Sequence, residues 1–154
     1  MKIVIAAVGR LKERHWRDAA DEYLKRLRPY ATIDAVEVPD QDLGGDEARA
    51  VRVEAEALAR VVPAGAYLVG LEIGGAARSS VAFSEWLAEH LHAGRPAMAF
   101  LVGGAAGLDP ALAERCDERI SFGPMTFPHQ LARVVLLEQL YRAFRIMRNE
   151  PYHR

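Results

Sequence analysis

Three short and almost entirely apolar runs constrain the fold of this chain more than any other feature. They are KIVIAAVG (residues 2–9), AYLVGLEI (66–73) and AMAFLVGG (97–104). Apolar runs of this length without alternation are typical of parallel strands that are covered on both faces. A fourth run, ATIDAVEV (31–38), alternates more and is predicted to lie nearer an edge, and RISF (119–122) is predicted as a fifth strand.

Helix-forming segments separate these runs. Residues 46–61 are rich in Ala, Glu and Arg, which are strong helix formers. The Asp109-Pro110 pair supplies a cap and a first helical residue for a short helix. The other predicted helices are 16–28, 84–92 with a Ser80 or Ser84 cap, and a long last helix from about 128 to 147. Strands that alternate with helices predict a single α/β domain over residues 1–154, built on a mostly parallel sheet.

The last predicted helix is apolar over far more than one stripe. Its polar positions form only a narrow face of Glu138, Arg142, Arg145 and Asn149. A helix of this kind is buried on two sides. Either it is the central helix of one monomer core, or its second side packs against a second copy of the chain in a homodimer.

Charge and cysteine content exclude some classes of protein. The net charge is −1, so the chain is not a generally basic nucleic-acid binder, although residues 133–154 hold five arginines and two acids. That local excess indicates either an RNA-binding patch or an ordinary solvated helix face. Cys116 is the only cysteine, which excludes an internal disulfide and fits a reducing compartment. The apolar start is too short to span a bilayer and has no plausible cleavage site, so we expect a cytoplasmic protein without a membrane partner.

Three glycine-bearing or proline-bearing stretches follow predicted strands. They are GLEIGG (70–75), LVGGAAG (101–107) and SFGPMTFPHQ (121–130). In open α/β sheets ligands bind outside the carboxyl ends of the strands, and glycines there allow close approach of the backbone. The third stretch could wrap a flat heterocycle between apolar side chains, or it could be a plain connection from strand to helix.

Known nucleotide and metal motifs are missing from the sequence. Neither G-x-G-x-x-G nor G-x-x-x-x-G-K-[ST] occurs. His90 and His92 stand two residues apart on a predicted helix and therefore point to different faces, and one cysteine matches no zinc spacing. We expect no metal site.

Taken together, these stretches resemble a known family. LVGGAAGL (101–108), the block 121–146 and the ending NEPYHR (149–154) are similar to the bacterial 23S ribosomal RNA pseudouridine N3-methyltransferases of the SPOUT class. MKIVIAAVGRLKE (1–13) and VGLEIGG (69–75) match as well, so the likeness covers essentially the whole chain. The combination of LVGG…GL, TFPH and a terminal N-x-PYH is specific.

The resemblance implies a SPOUT-type sheet flanked by helices, with a deep trefoil knot at the C-terminal end. It implies that S-adenosylmethionine is the cofactor and that the chain works as a homodimer on 23S rRNA in the assembled ribosome. The cofactor contacts it implies are Leu71, Gly103, Gly104, Phe122, Gly123, Pro124, Met125, Thr126, Phe127 and Pro128.

The implied reaction removes a proton from N3 of a pseudouridine and transfers a methyl group to it. The candidate catalytic residues are His129, Tyr152, His153 and Arg154, and the candidate RNA-binding residues are Arg133, Arg142 and Arg145. The residues do not decide which group takes the proton, nor whether the tail acts in its own subunit or in the partner. Two other functions stay open: a SPOUT methyltransferase for another rRNA site or tRNA, and an inactive ribosome-binding module.

Overall fold

The computed structural model describes residues 2–154 and contains one five-stranded sheet with all neighbouring strands parallel. The strand order is β2-β1-β4-β3-β5. The strands are β1 Lys2–Val8, β2 Thr32–Val38, β3 Tyr67–Ala77, β4 Ala97–Val102 and β5 Glu118–Ser121. The helices are α1 Arg14–Leu27, α2 Glu47–Val61, α3 Ser80–Leu91, α4 Pro110–Arg115 and α5 His129–Met147.

The predicted elements and the mostly parallel α/β class are confirmed, including the edge position of β2 and the existence of β5. The start of α3 was predicted wrongly. The helix begins at Ser80, and its cap is Ser79, whose side chain accepts a hydrogen bond from the Ala82 backbone N–H. Three nearby serines satisfy the cap preference, and only the backbone geometry distinguishes them.

The two faces of the sheet pack against different helices. Residues of β1 alternate between two hydrophobic clusters, because successive side chains of a strand point to opposite faces. Ile3 and Ile5 join the cluster that holds the buried residues of α1, α3 and α5. Val4 and Ala6 join the cluster that holds the buried residues of α2 and α4. Each fully buried Leu or Ile stabilises the fold by about 1.5–3 kcal/mol relative to an exposed one.

Helix α5 lies over the sheet between α1 and α3. Its inner side, with Leu136 and Leu140 at 0% exposure, is part of the monomer core. Contacts with α1 and α3 on its two flanks explain most of the unusual apolar content of α5. This agrees with the interpretation of α5 as the central helix of one monomer core. An outer face with helical spacing remains, formed by Leu131, Val135, Glu138 and Arg142, and all four are only partly buried.

Strand β3 carries an irregularity that shapes one end of the sheet. Leu71 and Ala76 both pair with Ile120 of β5, so residues 72–75 bulge out of the ladder. A Cβ added to Gly75 would lie 2.7 Å from backbone atoms of Arg119 and Ile120, which only glycine permits. The bulge places residues 72–74 beyond the sheet.

The C-terminal trefoil knot that the resemblance implies stays a prediction.

Candidate functional site

A cavity of about 600 Å³ opens at the carboxyl ends of β3, β4 and β5. Three segments from distant parts of the sequence form its walls: the β3 bulge, the turn after β4, and the loop that joins β5 to α5. The lining residues are Leu71–Gly74, Val102–Leu108, Ser121–Gly123, Met125–Phe127, His129 and Ala132. The carboxyl edge of the sheet, where the sequence predicted a ligand crevice, therefore holds a large glycine-lined opening.

Most of the predicted cofactor residues meet in this cavity. Leu71, Gly103, Gly104, Phe122, Gly123, Met125, Thr126 and Phe127 line it, whereas Pro124 and Pro128 lie in the same loop without lining it. Sequence reasoning missed Glu72, a carboxylate that faces the cavity and lies 3.8 Å from Arg119. Its position inside GLEIGG was the available signal, because any residue of a strand-end loop can face the ligand crevice.

The turn after β4 depends on its glycines. A Cβ added to Gly103 would lie 2.3 Å from the Gly107 carbonyl carbon and 2.6 Å from the Leu108 nitrogen. The Gly107 N–H donates to the Gly104 carbonyl at 3.0 Å and closes the turn. Gly107 itself has a φ of +78°, a left-handed conformation that favours glycine. The turn therefore places backbone polar groups, rather than side chains, against the cavity.

Two large apolar side chains of the cavity are exposed to solvent: Ile73 is 54% and Met125 is 75% exposed. They lie on opposite walls, the β3 bulge and the β5–α5 loop. Exposed apolar groups that rim a concave site are typical of surfaces that a ligand covers. With the backbone groups of the glycine turn, the cavity suits a flat heterocycle that is held by apolar contact and recognised at its edge.

His129 is the first residue of α5 and lines the same cavity. Partial burial, and secondarily the nearby positive charge of Arg133, hold the pKa of His129 below its ordinary value of 6.5. The opposing effect of the carboxylates of Asp40, Glu13 and Glu54 is smaller. The imidazole is consequently neutral at neutral pH and able to accept a proton.

Arg133 does not belong to an exposed basic patch, which corrects that part of the sequence prediction. The residue is 7% exposed. Its guanidinium donates to the Gly9 carbonyl at 3.0 Å and to Glu37 at 2.8 Å. These contacts tie α5 to the ends of β1 and β2, and sequence alone could not show them because both partners lie about a hundred residues away.

The other two candidate RNA-binding arginines are paired with acids. Arg142 contacts Glu138 through Nε at 2.9 Å and through a terminal nitrogen at 2.6 Å. Arg145 contacts Glu150 at 2.5 Å and donates to the Pro151 carbonyl at 2.8 Å. Both side chains are about a quarter exposed. In this arrangement they organise the end of the chain, and their charges are largely compensated.

The C-terminal tail folds back onto its own last helix. Asn149 leaves α5 through a left-handed turn with a φ of 53°, a common way to end a helix. The Tyr152 hydroxyl then donates to Glu138 at 3.1 Å, and the His153 ring lies 3.2 Å from Arg142. Burial first, and then the hydrogen bond to Glu138, raise the pKa of Tyr152 to about 12, so the phenol keeps its proton.

The structure does not bring the tail and the cavity together within one subunit. Glu138, which holds Tyr152, lies nine positions after His129 on α5, and at ~1.5 Å per residue this corresponds to about 13 Å along the helix. Arg154 is exposed at the very end of the chain. Of the four candidate catalytic residues, only His129 lines the cavity of its own chain.

Within residues 2–154, no three His, Cys, Asp or Glu side chains form a cluster suited to a metal ion. In the same range, no helix combines the length and the apolar character that a membrane crossing requires.

Comparison with known proteins identifies the class. A family model described as "Predicted SPOUT methyltransferase" matches residues 1–153. The chain therefore belongs to the SPOUT methyltransferase family. A solved structure of a probable methylase family protein from Haemophilus influenzae Rd KW20 has the same fold, with a TM-score of 0.55 at 12% identity. The match covers 96% of this chain and 66% of that protein.

Curated relatives match along the full length of both chains. Proteins from Carboxydothermus hydrogenoformans, Ruminiclostridium cellulolyticum and Listeria monocytogenes are 42%, 43% and 44% identical to this chain, with 100% of each chain covered. Each of the three is named "Ribosomal RNA large subunit methyltransferase H".

Proposed function

We propose that this protein is a single-domain, S-adenosylmethionine-dependent methyltransferase of the large-subunit ribosomal RNA. Its target is N3 of a pseudouridine in a 23S rRNA stem-loop, met in the assembled ribosome in the cytoplasm. The observation that carries the proposal is the cavity at the ends of β3, β4 and β5, where three separate segments meet. Full-length relatives named as rRNA large subunit methyltransferases support an rRNA substrate.

The cavity residues fit the proposed cofactor. When bound, S-adenosylmethionine supplies an electrophilic methyl group. Ile73 and Met125 provide exposed apolar surface for the adenine, and the turn from Gly103 to Gly107 provides backbone donors and acceptors. Glu72 provides a negative charge that suits a cationic group of the cofactor, such as the ammonium of its amino acid part.

His129 is positioned to accept the proton from N3 of the pseudouridine. N3 of a pseudouridine must lose its proton before it can attack a methyl group. A general base must be unprotonated at the working pH and lie at the reaction site. The lowered pKa of His129 and its place in the cavity wall meet both conditions. Most of the rate acceleration would come from holding the two reactants together.

A homodimer would complete the site. The outer face of α5 leaves Leu131 and Val135 partly exposed, beside the paired charges of Glu138 and Arg142. A second copy packed there would cover this apolar surface, as isologous dimers do. Because the tail lies about two and a half turns from its own cavity, a partner subunit is the more economical target for Tyr152, His153 and Arg154.

The decisive experiment is methyl transfer from radiolabelled S-adenosylmethionine to ribosomes that lack the modification, followed by mass mapping of the labelled nucleotide. We expect label at N3 of one pseudouridine of 23S rRNA. Label at another rRNA position or in tRNA would assign the protein to a different SPOUT methyltransferase. A protein that binds ribosomes but neither binds the cofactor in calorimetry nor transfers label would be an inactive module.

A further inference from the structure

A second cavity, of about 590 Å³, lies beside α5 one to two turns further along the helix, at Arg133 and Leu137. The loop after β1, the start of α1, the edge strand β2 and α5 enclose it. Its polar lining consists of Arg10, Lys12, Arg17, Asp21, Glu37 and Arg133. No residue proposed above for the cofactor or the reaction lines this cavity.

The cations of this cavity are available to a ligand. Arg10, Lys12 and Arg17 are exposed, and none of them forms an ion pair with another side chain of residues 2–154. One of the two carboxylates is already compensated, because Glu37 accepts hydrogen bonds from Arg133 at 2.8 Å and from the Leu11 N–H at 3.0 Å. Asp21 remains as a single opposing charge, so the opening is net positive.

The contrast with the C-terminal region is direct. Sequence counting placed the basic excess at residues 133–154, but Arg133, Arg142 and Arg145 are each held by an acid. An arginine that is already bound to a carboxylate must break that contact before it can hold a phosphate. Arg10, Lys12 and Arg17 break no such contact when they bind an anion, so they are the stronger candidates.

The second cavity also lies close to the proposed site of methyl transfer. Arg133 lines it and donates to the Gly9 carbonyl at 3.0 Å. A Cβ added to Gly9 would lie 3.9 Å from Nε2 of His129, which lines the cofactor cavity. His129 and Arg133 are about one turn apart on α5, about 6 Å along its axis, so the two cavities are neighbours. One RNA strand can span that distance with a few nucleotides.

We propose that Arg10, Lys12 and Arg17 bind the phosphodiester backbone of the RNA strand that carries the target nucleotide. The proposal rests on the function proposed above and extends it to a specific docking surface. Contacts to phosphates fix the register and orientation of a nucleic acid without reading its sequence. Such a surface explains how a chain with a net charge of −1 holds an RNA substrate through a local electrostatic contact.

The test compares two triple variants of the full-length protein. The first is Arg10→Gln, Lys12→Gln and Arg17→Gln. The matched control, with the same loss of charge, is Arg49→Gln, Arg52→Gln and Arg115→Gln. These three arginines are exposed and lie on α2 and α4, on the opposite face of the sheet. Circular dichroism and thermal unfolding verify that both variants fold.

The primary measurement is the affinity for unmodified ribosomes over a range of salt concentrations. We expect the first variant to bind at least about tenfold more weakly. The slope of log K against the logarithm of the salt concentration should be smaller by about two, the change expected for three lost phosphate contacts to a single strand. Its affinity for S-adenosylmethionine should equal that of the wild type. The control variant should retain the wild-type ribosome affinity and salt dependence within about twofold.

Two results would overturn the proposal: unchanged ribosome affinity of the first variant, or an equal loss in both variants. Wild-type protein that does not bind ribosomes would overturn it too. The proposed function fails separately, through wild-type protein that binds ribosomes but transfers no methyl group. Weaker binding of the first variant alone would then still support an RNA-docking surface around Arg10.

Discussion

The Tyr152 hydroxyl donates a hydrogen bond to Glu138 across 3.1 Å, and so fastens the end of the chain to the middle of its last helix. The same carboxylate receives both contacts of Arg142, whose guanidinium also lies 4.6 Å from the centre of the Tyr152 ring. Tyr141 also packs against that ring in a T-shaped arrangement, at a centroid distance of 4.9 Å. Glu138 therefore connects both Arg142 and Tyr152 to the middle of α5.

Replacement of Glu138 by Gln should release this tail. The change keeps the size of the side chain but removes the charge that holds Arg142 and accepts from Tyr152. Since the pair is partly exposed, we expect a loss of only about 1 kcal/mol of stability, but much faster amide exchange in residues 150–154. Hydrogen exchange by mass spectrometry measures this, with Glu85→Gln, an exposed glutamate on α3, as the control. Equal exchange in both variants would contradict the assigned role.

Removal of residues 152–154 should abolish methylation of ribosomes and leave the fold and most of the cofactor affinity intact. The tail lies about 13 Å from its own cavity along α5, so its loss should not disturb the cofactor walls. Activity, thermal unfolding and calorimetric binding of S-adenosylmethionine check the three parts. Wild-type activity of the truncated protein would contradict a role of residues 152–154 in methylation.

Mixing experiments would identify the subunit on which the tail acts. The truncated chain and a His129→Ala chain should each be inactive alone. If the tail serves the partner, a mixed dimer carries one complete site, with the tail from one chain and His129 from the other. Activity of the mixture well above that of either variant is the expected result. A mixture that forms dimers without activity would indicate a tail that acts in its own subunit.

Substitution of Gly103 by Ala should weaken cofactor binding. The added methyl group would lie 2.3 Å from the carbonyl carbon of Gly107, so the turn after β4 must move. We expect a cofactor affinity at least about tenfold weaker, because overpacking of a closed turn costs ~1–3 kcal/mol. Gly45→Ala is the matched control, since its new methyl group would meet nothing within 4 Å. Calorimetry on both variants makes the comparison, and equal affinities would contradict the role of the turn.

Replacement of Arg133 by Met should destabilise the fold rather than weaken RNA binding directly. The change removes the contacts to Gly9 and Glu37 and leaves both without this partner. Glu37 has a side chain 36% exposed and can rehydrate, so we expect a loss of about 2 kcal/mol, or a Tm lower by about 4–8 °C. Lys25→Met, at an exposed position of α1, should change Tm by less than about 1–2 °C.

Lowering the pH should reduce the stability of the fold in part through His129. Its folded pKa lies below 6.5, so the folded protein favours the neutral imidazole more than the unfolded chain does. This contribution to stability is present above 6.5 and is lost as the pH falls through the unfolded value towards the folded one. His129→Gln should therefore lose less stability than the wild type over that acidic window. Denaturant unfolding at several pH values measures the difference, and parallel profiles would contradict it.

The sequence was sufficient to predict the sheet and the sheet edge at which the glycine-lined cavity lies. Buried parallel strands carry a distinctive apolar pattern, and their carboxyl ends meet at one edge, so GLEIGG and LVGGAAG had to lie near each other. The roles of Arg133 and of the tail could not be predicted in this way. Both depend on which side chains meet across the fold, and a charge count treats an arginine bound to Glu37 and an arginine in water alike.

The origin of the cavity walls has a consequence for how the protein is made. The walls come from residues 71–74, 102–108 and 121–132, and the last of these segments runs from the final residue of β5 to the first turn of α5. During synthesis the N-terminal parts of a chain emerge first. A nascent chain that has not yet released residue 132 therefore lacks one wall of the cavity. Newly made molecules therefore complete this cavity only after all three segments have emerged and packed together.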